Sequence, residues 1–143
     1  MKILALILTL LITTALGTAA AMNKPVVTIQ RYYADINRGD FQKAYSLWDS
    51  SNPGRPQSYA QFIQGFAQTA KTKVKTGTPI RNEGAMGSVY TSVPVTVDAV
   101  LKNGQHQHFR GKYVLRKVND VPGVKADNYQ WHIYSADLHR VTG

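Results

Sequence analysis

The chain's chemistry must come from four histidines, eight carboxylates and eight tyrosines, because it has no cysteine. That absence excludes a thiol nucleophile, a cysteine zinc site, a disulfide scaffold and a lipid-modified N-terminal cysteine. His106-x-His108 puts two imidazoles on one face of a strand, a pattern that can begin a metal site if a third ligand joins it. No Gly-x-Ser-x-Gly elbow and no glycine-rich phosphate loop occur. Acid–base chemistry would need a carboxylate held in an apolar cavity with a raised pKa. Asp49 and Glu83, the single glutamate, are the candidates. Each also has a structural role, Asp49 after a helix and Glu83 in a glycine-flanked turn. Tyr33, Tyr45, Tyr59 and Tyr113 can supply phenol donors. Lys71, Lys73 and Lys75 alternate along one segment, and Arg110, Lys112 and Arg116 along another. Such rows attract anions, and they also suit a solvated sheet face with edge-protecting lysines.

The elements that must position these groups follow from apolar spacing. Val26, Ile29, Tyr33 and Ile36 form one helical stripe, opened by Pro25 and closed by Gly39. Asp40 is placed to cap a second helix whose buried face is Phe41, Ala44, Tyr45 and Trp48. Residues 51–57 break the chain with Pro53, Gly54 and Pro56. Ser58 and Gln61 make a capping box for a third helix, with Tyr59, Phe62, Ile63 and Phe66, running to about Ala70. The period then drops to two. The pattern predicts strands over Lys73–Arg81, with Pro79 at an edge or bulge, Ser88–Leu101, Gln105–Val118, and Asn128 to about Leu138, with a loop at Asn119–Asp127. The fold class is therefore α+β: three N-terminal helices packed on one face of a four-stranded antiparallel sheet.

Register decides which side chains share a face. Val93, Val97 and their odd-numbered neighbours are apolar, as are Phe109, Tyr113 and Leu115. A two-residue Asn103-Gly104 loop would put Val97 beside Arg110. A three-residue loop, Lys102 to Gly104, puts Val97 opposite Phe109 and Val93 opposite Tyr113, and is the one expected. Asp98 then faces His108, and Thr96 faces Arg110, on the polar side. Tyr129, Trp131 and Ile133 join the apolar side, and Gln130, His132 and Tyr134 the polar one. His132 falls opposite about Val114, roughly 20 Å from His108, so it cannot complete a metal site. No metal and no cofactor are expected.

At 143 residues the chain fits one domain, and 43% hydrophobic and 10% aromatic residues exclude a disordered one. Residues 1–21 read as a signal peptide: Lys2, an apolar run from Ile3 to Ile12, and Ala19-Ala20-Ala21 as the cleavage site. Cleavage there leaves one domain, 22–143, in the periplasm or secreted, and lowers the formal charge from +9 to +8 by loss of Lys2. The same uncharged stretch between Lys2 and Lys24 could instead be kept as an anchor. Export and the lack of a recognition motif argue against nucleic acid as a partner. An anionic envelope component is the partner expected for the basic sheet face.

The run Tyr32-Tyr33-Ala34-Asp35-Ile36-Asn37-Arg38-Gly39-Asp40-Phe41-Gln42-Lys43-Ala44-Tyr45-Ser46-Leu47-Trp48 resembles the opening of nuclear-transport-factor-2-like domains. Tyr129-Gln130-Trp131-His132-Ile133 is similar to their closing strand, and the resemblance covers about residues 24–141. It implies a cone: a curved antiparallel sheet wrapped on helices, with a cavity at the open end. Its members include isomerases and dehydratases of the ketosteroid isomerase and polyketide cyclase type, which pair a cavity Asp with Tyr, Asp or His. Others are silent adaptors and domains of envelope machines. No catalytic pair is matched here. The expected function is an exported, non-catalytic binding or interaction module of the bacterial envelope, holding a small apolar ligand or an envelope protein. Tyr33, Trp48, Phe66, Tyr113 and Trp131 are the expected cavity walls. An isomerase or lyase, and a subunit of an envelope secretion or cell-wall assembly, are the alternatives. Homodimerisation through the outer sheet face, common in the superfamily, remains open against its charge.

Overall fold

A computed structural model describes residues 24–52, 55, 58–82, 87–118 and 130–142. The segment 1–21 expected as a signal peptide, Glu83, Tyr129 and the loop expected at 119–127 lie outside these residues, as do Pro53, Gly54 and Pro56. Helix α1, Pro25–Arg38, has its proline in the first turn, where a missing N–H costs nothing, and buries Ile29, Tyr32, Tyr33 and Ile36. Helix α2, Phe41–Ser46, is shorter than its apolar spacing suggests. Asp40 makes no side-chain cap; its carboxylate accepts instead from Arg38 Nε at 3.3 Å. Trp48 is therefore not on α2. It lies in an extended segment beside Ile133, where Ile133 N–H donates to Leu47 O and Asp49 N–H to Ile133 O, both at 2.7 Å. Helix α3, Tyr59–Gly65, starts with the expected cap, Ser58 Oγ accepting from Gln61 N–H at 3.1 Å. It ends at Gly65, five residues short of Ala70, because Phe66–Gln68 form a turn into the sheet.

The sheet has five strands, not four. The segment expected as one strand from Lys73 to Arg81 is divided into β1, Thr69–Thr76, and β2, Ile80–Asn82. Between them Gly77 N–H donates to Pro94 O at 2.7 Å, and Pro79 has no N–H with which to continue the ladder. Both pair antiparallel with β3, Ser88–Leu101, which pairs with β4, His106–Val118, and β4 with β5, His132–Val141. The β3–β4 loop is the three-residue one. Gly104 takes φ 86°, and Val97 stands opposite Phe109 and Val93 opposite Tyr113. β5 carries a bulge: Leu115 pairs with Ile133 but Val114 with Ser135. The extra residue, Tyr134, reverses the parity, so Ala136 and Leu138 replace the odd positions on the inner face. It also moves His132 opposite Arg116 rather than Val114.

α1 packs across β1, β3 and β5. Ile29, Val93, Leu115 and Ile133 are fully buried between the layers. One side chain pins the layers in register. Asn37 Nδ2 donates to Thr72 O at 2.9 Å, while its Oδ1 accepts from Thr72 N–H and Thr72 Oγ1, both at 2.8 Å. Among the described residues no helix is long and apolar enough to cross a membrane.

Candidate functional site

The inner face of the sheet meets α1 and the end of α3 around a cavity of about 260 Å³. Its apolar walls are Phe66, Val97, Ala99, Phe109 and Leu138, with Thr69, Thr72 and Gln107 at its polar edge. Tyr33 from α1 and Tyr113 from β4 close it, their hydroxyl oxygens 2.6 Å apart. Each phenol is almost wholly buried, Tyr33 at 5% and Tyr113 at 3% exposure. Burial pushes the Tyr33 phenol up to about 12, although its hydrogen bond to Tyr113 pulls the other way. Burial also raises the Tyr113 phenol, and the neighbouring Tyr33 adds to the rise. Both hydroxyls are thus neutral donors near pH 7. The pair contains two hydroxyl hydrogens, and the 2.6 Å contact uses one. No other acceptor for the second is seen among the described residues.

Tyr33, Phe66 and Tyr113, three of the five aromatics expected as cavity walls, line this cavity; Trp48 and Trp131 do not. Trp48 borders a second cleft of about 280 Å³ at the opposite end of the sheet, with Asp49, Arg55, Arg116 and His132. The Tyr32 ring separates the two, 6.3 Å from that of Trp48 and 6.2 Å from that of Tyr113. Trp131 is buried; Lys117 Nζ lies 5.3 Å from its ring centre, and its carbonyl accepts from Thr28 Oγ1 at 3.4 Å. Phe109 and Gln107 were readable as wall positions from their parity with Tyr113. Leu138 was not, because the bulge that turns it inward leaves no mark in the apolar pattern.

In the second cleft Asp49 is fully engaged. Its Oδ1 accepts from Ser51 N–H at 2.9 Å and Ser51 Oγ at 2.5 Å, and its Oδ2 from Arg116 Nη1 at 2.9 Å. Burial would raise its pKa, but the Ser51 and Arg116 hydrogen bonds outweigh it and hold the carboxyl below its ordinary range. Arg116 Nε also donates to Ser88 Oγ at 3.0 Å. A carboxylate so held is a structural anion, not a base. Asp35, the other buried carboxylate described, is bonded by Arg38 and lines neither cavity. On the outer face His108 Nδ1 lies 2.5 Å from Asp98 Oδ1, and this hydrogen bond lowers the exposed Asp98 carboxyl. His132, opposite Arg116, is eight strand positions from His108, about 27 Å at strand rise. Among the described residues no group of three His, Cys, Asp or Glu side chains is placed to hold a metal ion.

No family model matches the chain, and a search of curated proteins by sequence also finds no match. Solved structures do match. A nuclear transport factor 2-like superfamily protein from Salmonella enterica superposes with a TM-score of 0.53 at 17% identity, covering 86% of this chain and 92% of that one. The fold is nuclear-transport-factor-2-like. A scytalone dehydratase candidate from Novosphingobium aromaticivorans matches with a TM-score of 0.62 at 11% identity, over 87% of this chain and 86% of that one. The beta subunit of a candidate aromatic-ring-hydroxylating dioxygenase from the same organism matches at 0.53 and 12%, over 81% and 86%. At these identities the likeness extends to the nuclear-transport-factor-2-like fold alone, and activity must be argued from the site.

Proposed function

We propose that this chain binds a small, largely apolar molecule carrying one hydrogen-bond-accepting oxygen, in the cavity closed by Tyr33 and Tyr113. The observation that carries this reading is the second phenol hydrogen, left without an acceptor among the described residues in a largely apolar chamber. A buried donor without a partner costs about 1–3 kcal/mol, and a ligand carbonyl or ether would recover that cost. The apolar walls would supply the rest by burial, at about 25 cal/mol per Å². The N-terminal segment 1–21 supports an exported site of action, with the module working in the bacterial envelope.

An isomerase or lyase is the second reading, drawn from the likeness to the scytalone dehydratase candidate. It needs a base in the chamber, and the described lining residues include neither carboxylate nor histidine. A phenol held near 12 is too little ionised at neutral pH to serve. The test pairs ligands of one shape, cyclohexanone and methylcyclohexane, in ligand-observed NMR. Selective binding of the ketone, lost when Tyr33→Phe and Tyr113→Phe are combined, supports the reading. Equal response to both compounds refutes it.

A further inference from the structure

The outer face of the sheet points to a second partner. Lys71, Lys73 and Lys75 of β1 stand opposite Val100, Asp98 and Thr96 of β3, and these stand opposite His106, His108 and Arg110 of β4. Residues opposite one another share a face, so Lys71, Lys73, Lys75, Arg110 and Lys112 all project from the same side. All five are exposed, and none makes an ion pair among the described residues. The carboxylates in these rows are Asp98, engaged by His108, and Asp137, opposite Lys112. Five fixed cations against two carboxylates leave the face at +3 with its histidines neutral.

Edge protection accounts for only part of this pattern. β1 is an edge strand, where lysines block pairing with another chain. β4 is an interior strand, paired on both sides, and needs no such guard, yet it carries Arg110 and Lys112. The two cationic rows lie about 10 Å apart, flanking the small side chains of Thr96 and Pro94, with charges about 7 Å apart along each strand. The spacing along each strand lies within the Debye length of about 8 Å at physiological salt, and the rows are little more than one such length apart, so an anionic surface meets the charges together. Exposed aromatics are not interleaved among these five cations, as a stacking platform for single-stranded nucleic acid requires.

We propose that this face docks on an anionic phospholipid bilayer through Lys71, Lys73, Lys75, Arg110 and Lys112. The test measures partitioning of the exported protein onto vesicles of phosphatidylcholine alone and of an equal mixture with phosphatidylglycerol. Any pull from apolar segments is common to both, so the ratio isolates charge. A Lys or Arg near such a surface contributes a factor of about five. Lys71→Gln, Lys73→Gln and Lys75→Gln together should lower the ratio about a hundredfold, and 1 M NaCl should abolish it. A control with the same loss of charge on the helical side, Lys24→Gln, Arg31→Gln and Lys43→Gln, should retain most of it. A wild-type ratio near one overturns the proposal. So does equal loss in the two triple variants, which would assign binding to net charge. Displacement from the vesicles by polygalacturonate at equal charge concentration would give the face to an acidic glycan instead. Both triple variants change exposed side chains only, and unchanged thermal unfolding confirms that they are folded.

Discussion

Replacing Tyr33 and Tyr113 by phenylalanine, singly and together, tests whether their hydroxyl pair is held for a ligand. Tyr113→Phe removes one oxygen from the 2.6 Å contact and leaves the Tyr33 hydroxyl in an apolar chamber. The lost hydrogen bond is worth about 1 kcal/mol, and stranding its partner raises the cost to as much as about 3 kcal/mol if no water takes the vacated place. Tyr33→Phe strands Tyr113 in the same way. The double substitution removes both polar groups with little change in volume, so nothing remains to be satisfied. Its cost should be near zero, or the protein should gain stability, because the unused second hydrogen goes too. The double-mutant cycle should therefore give a coupling of about 2–6 kcal/mol, the sum of the two single costs. Urea unfolding followed by tryptophan fluorescence measures it, since Trp48 and Trp131 both lie in the core. The double variant should bind ketone no better than hydrocarbon. If the costs simply add, the two hydroxyls act independently and the argument for a vacant donor fails. If the double variant is stabilised yet keeps ketone selectivity, the selective group lies elsewhere in the chamber.

Further outcomes follow from local geometry. Asn37→Ala deletes three hydrogen bonds that tie α1 to β1, and should cost about 2–3 kcal/mol in urea unfolding. Gly111→Ala would drive a Cβ into the backbone carbonyl of Asp137, so β5 must shift; a loss of about 3 kcal/mol is expected in thermal unfolding. Asp49 has a lowered folded pKa, so its stabilisation is complete above the unfolded value of about 3.9 and is lost as pH falls through the folded one. The stability gap between wild type and Asp49→Asn should be flat from pH 7 to about 5 and close below pH 4; a gap that widens on acidification would refute this sign.

Short-range chemistry was legible in the sequence where a residue type leaves few choices. Pro25 opens α1, Ser58 caps α3, and Asn103-Gly104 with an apolar parity on both flanks fixes the β3–β4 register. What was not legible depends on long-range fit. Nothing in Thr69–Thr76 announces that a strand will begin where helical periodicity still runs, because the turn at Phe66–Gln68 is chosen by docking on the sheet. The β5 bulge at Tyr134 exchanges Leu138 for the expected parity, and only the pairing partner reveals it. The Asp49–Arg116 pair joins residues 67 positions apart, and alternation alone placed Arg116 in a solvated row. The cavity was misread for a related reason. Aromatic stripes identify what is buried, but not which buried rings meet, so Trp48 and Trp131 were grouped with Tyr33, Phe66 and Tyr113.

Tyr32 decides how far the two ends of the molecule can communicate. It sits 3% exposed between the rings of Trp48 and Tyr113, and its hydroxyl accepts from Trp48 Nε1 at 3.4 Å. A ligand beside Tyr113 therefore cannot reach the Asp49–Arg116 cleft without displacing a buried ring, which close packing makes costly. Asp49→Asn changes an ion pair beyond that ring and should leave the ketone dissociation constant within twofold of wild type. Tyr32→Leu keeps an apolar filler but removes much of the partition. It should open the chamber toward Trp48 and admit ketones longer by one or two methylenes, each worth about 0.8 kcal/mol when buried. If Asp49→Asn weakens ketone binding tenfold in a protein of unchanged fold, the ends are coupled, and Tyr32 transmits strain instead of dividing two separate sites.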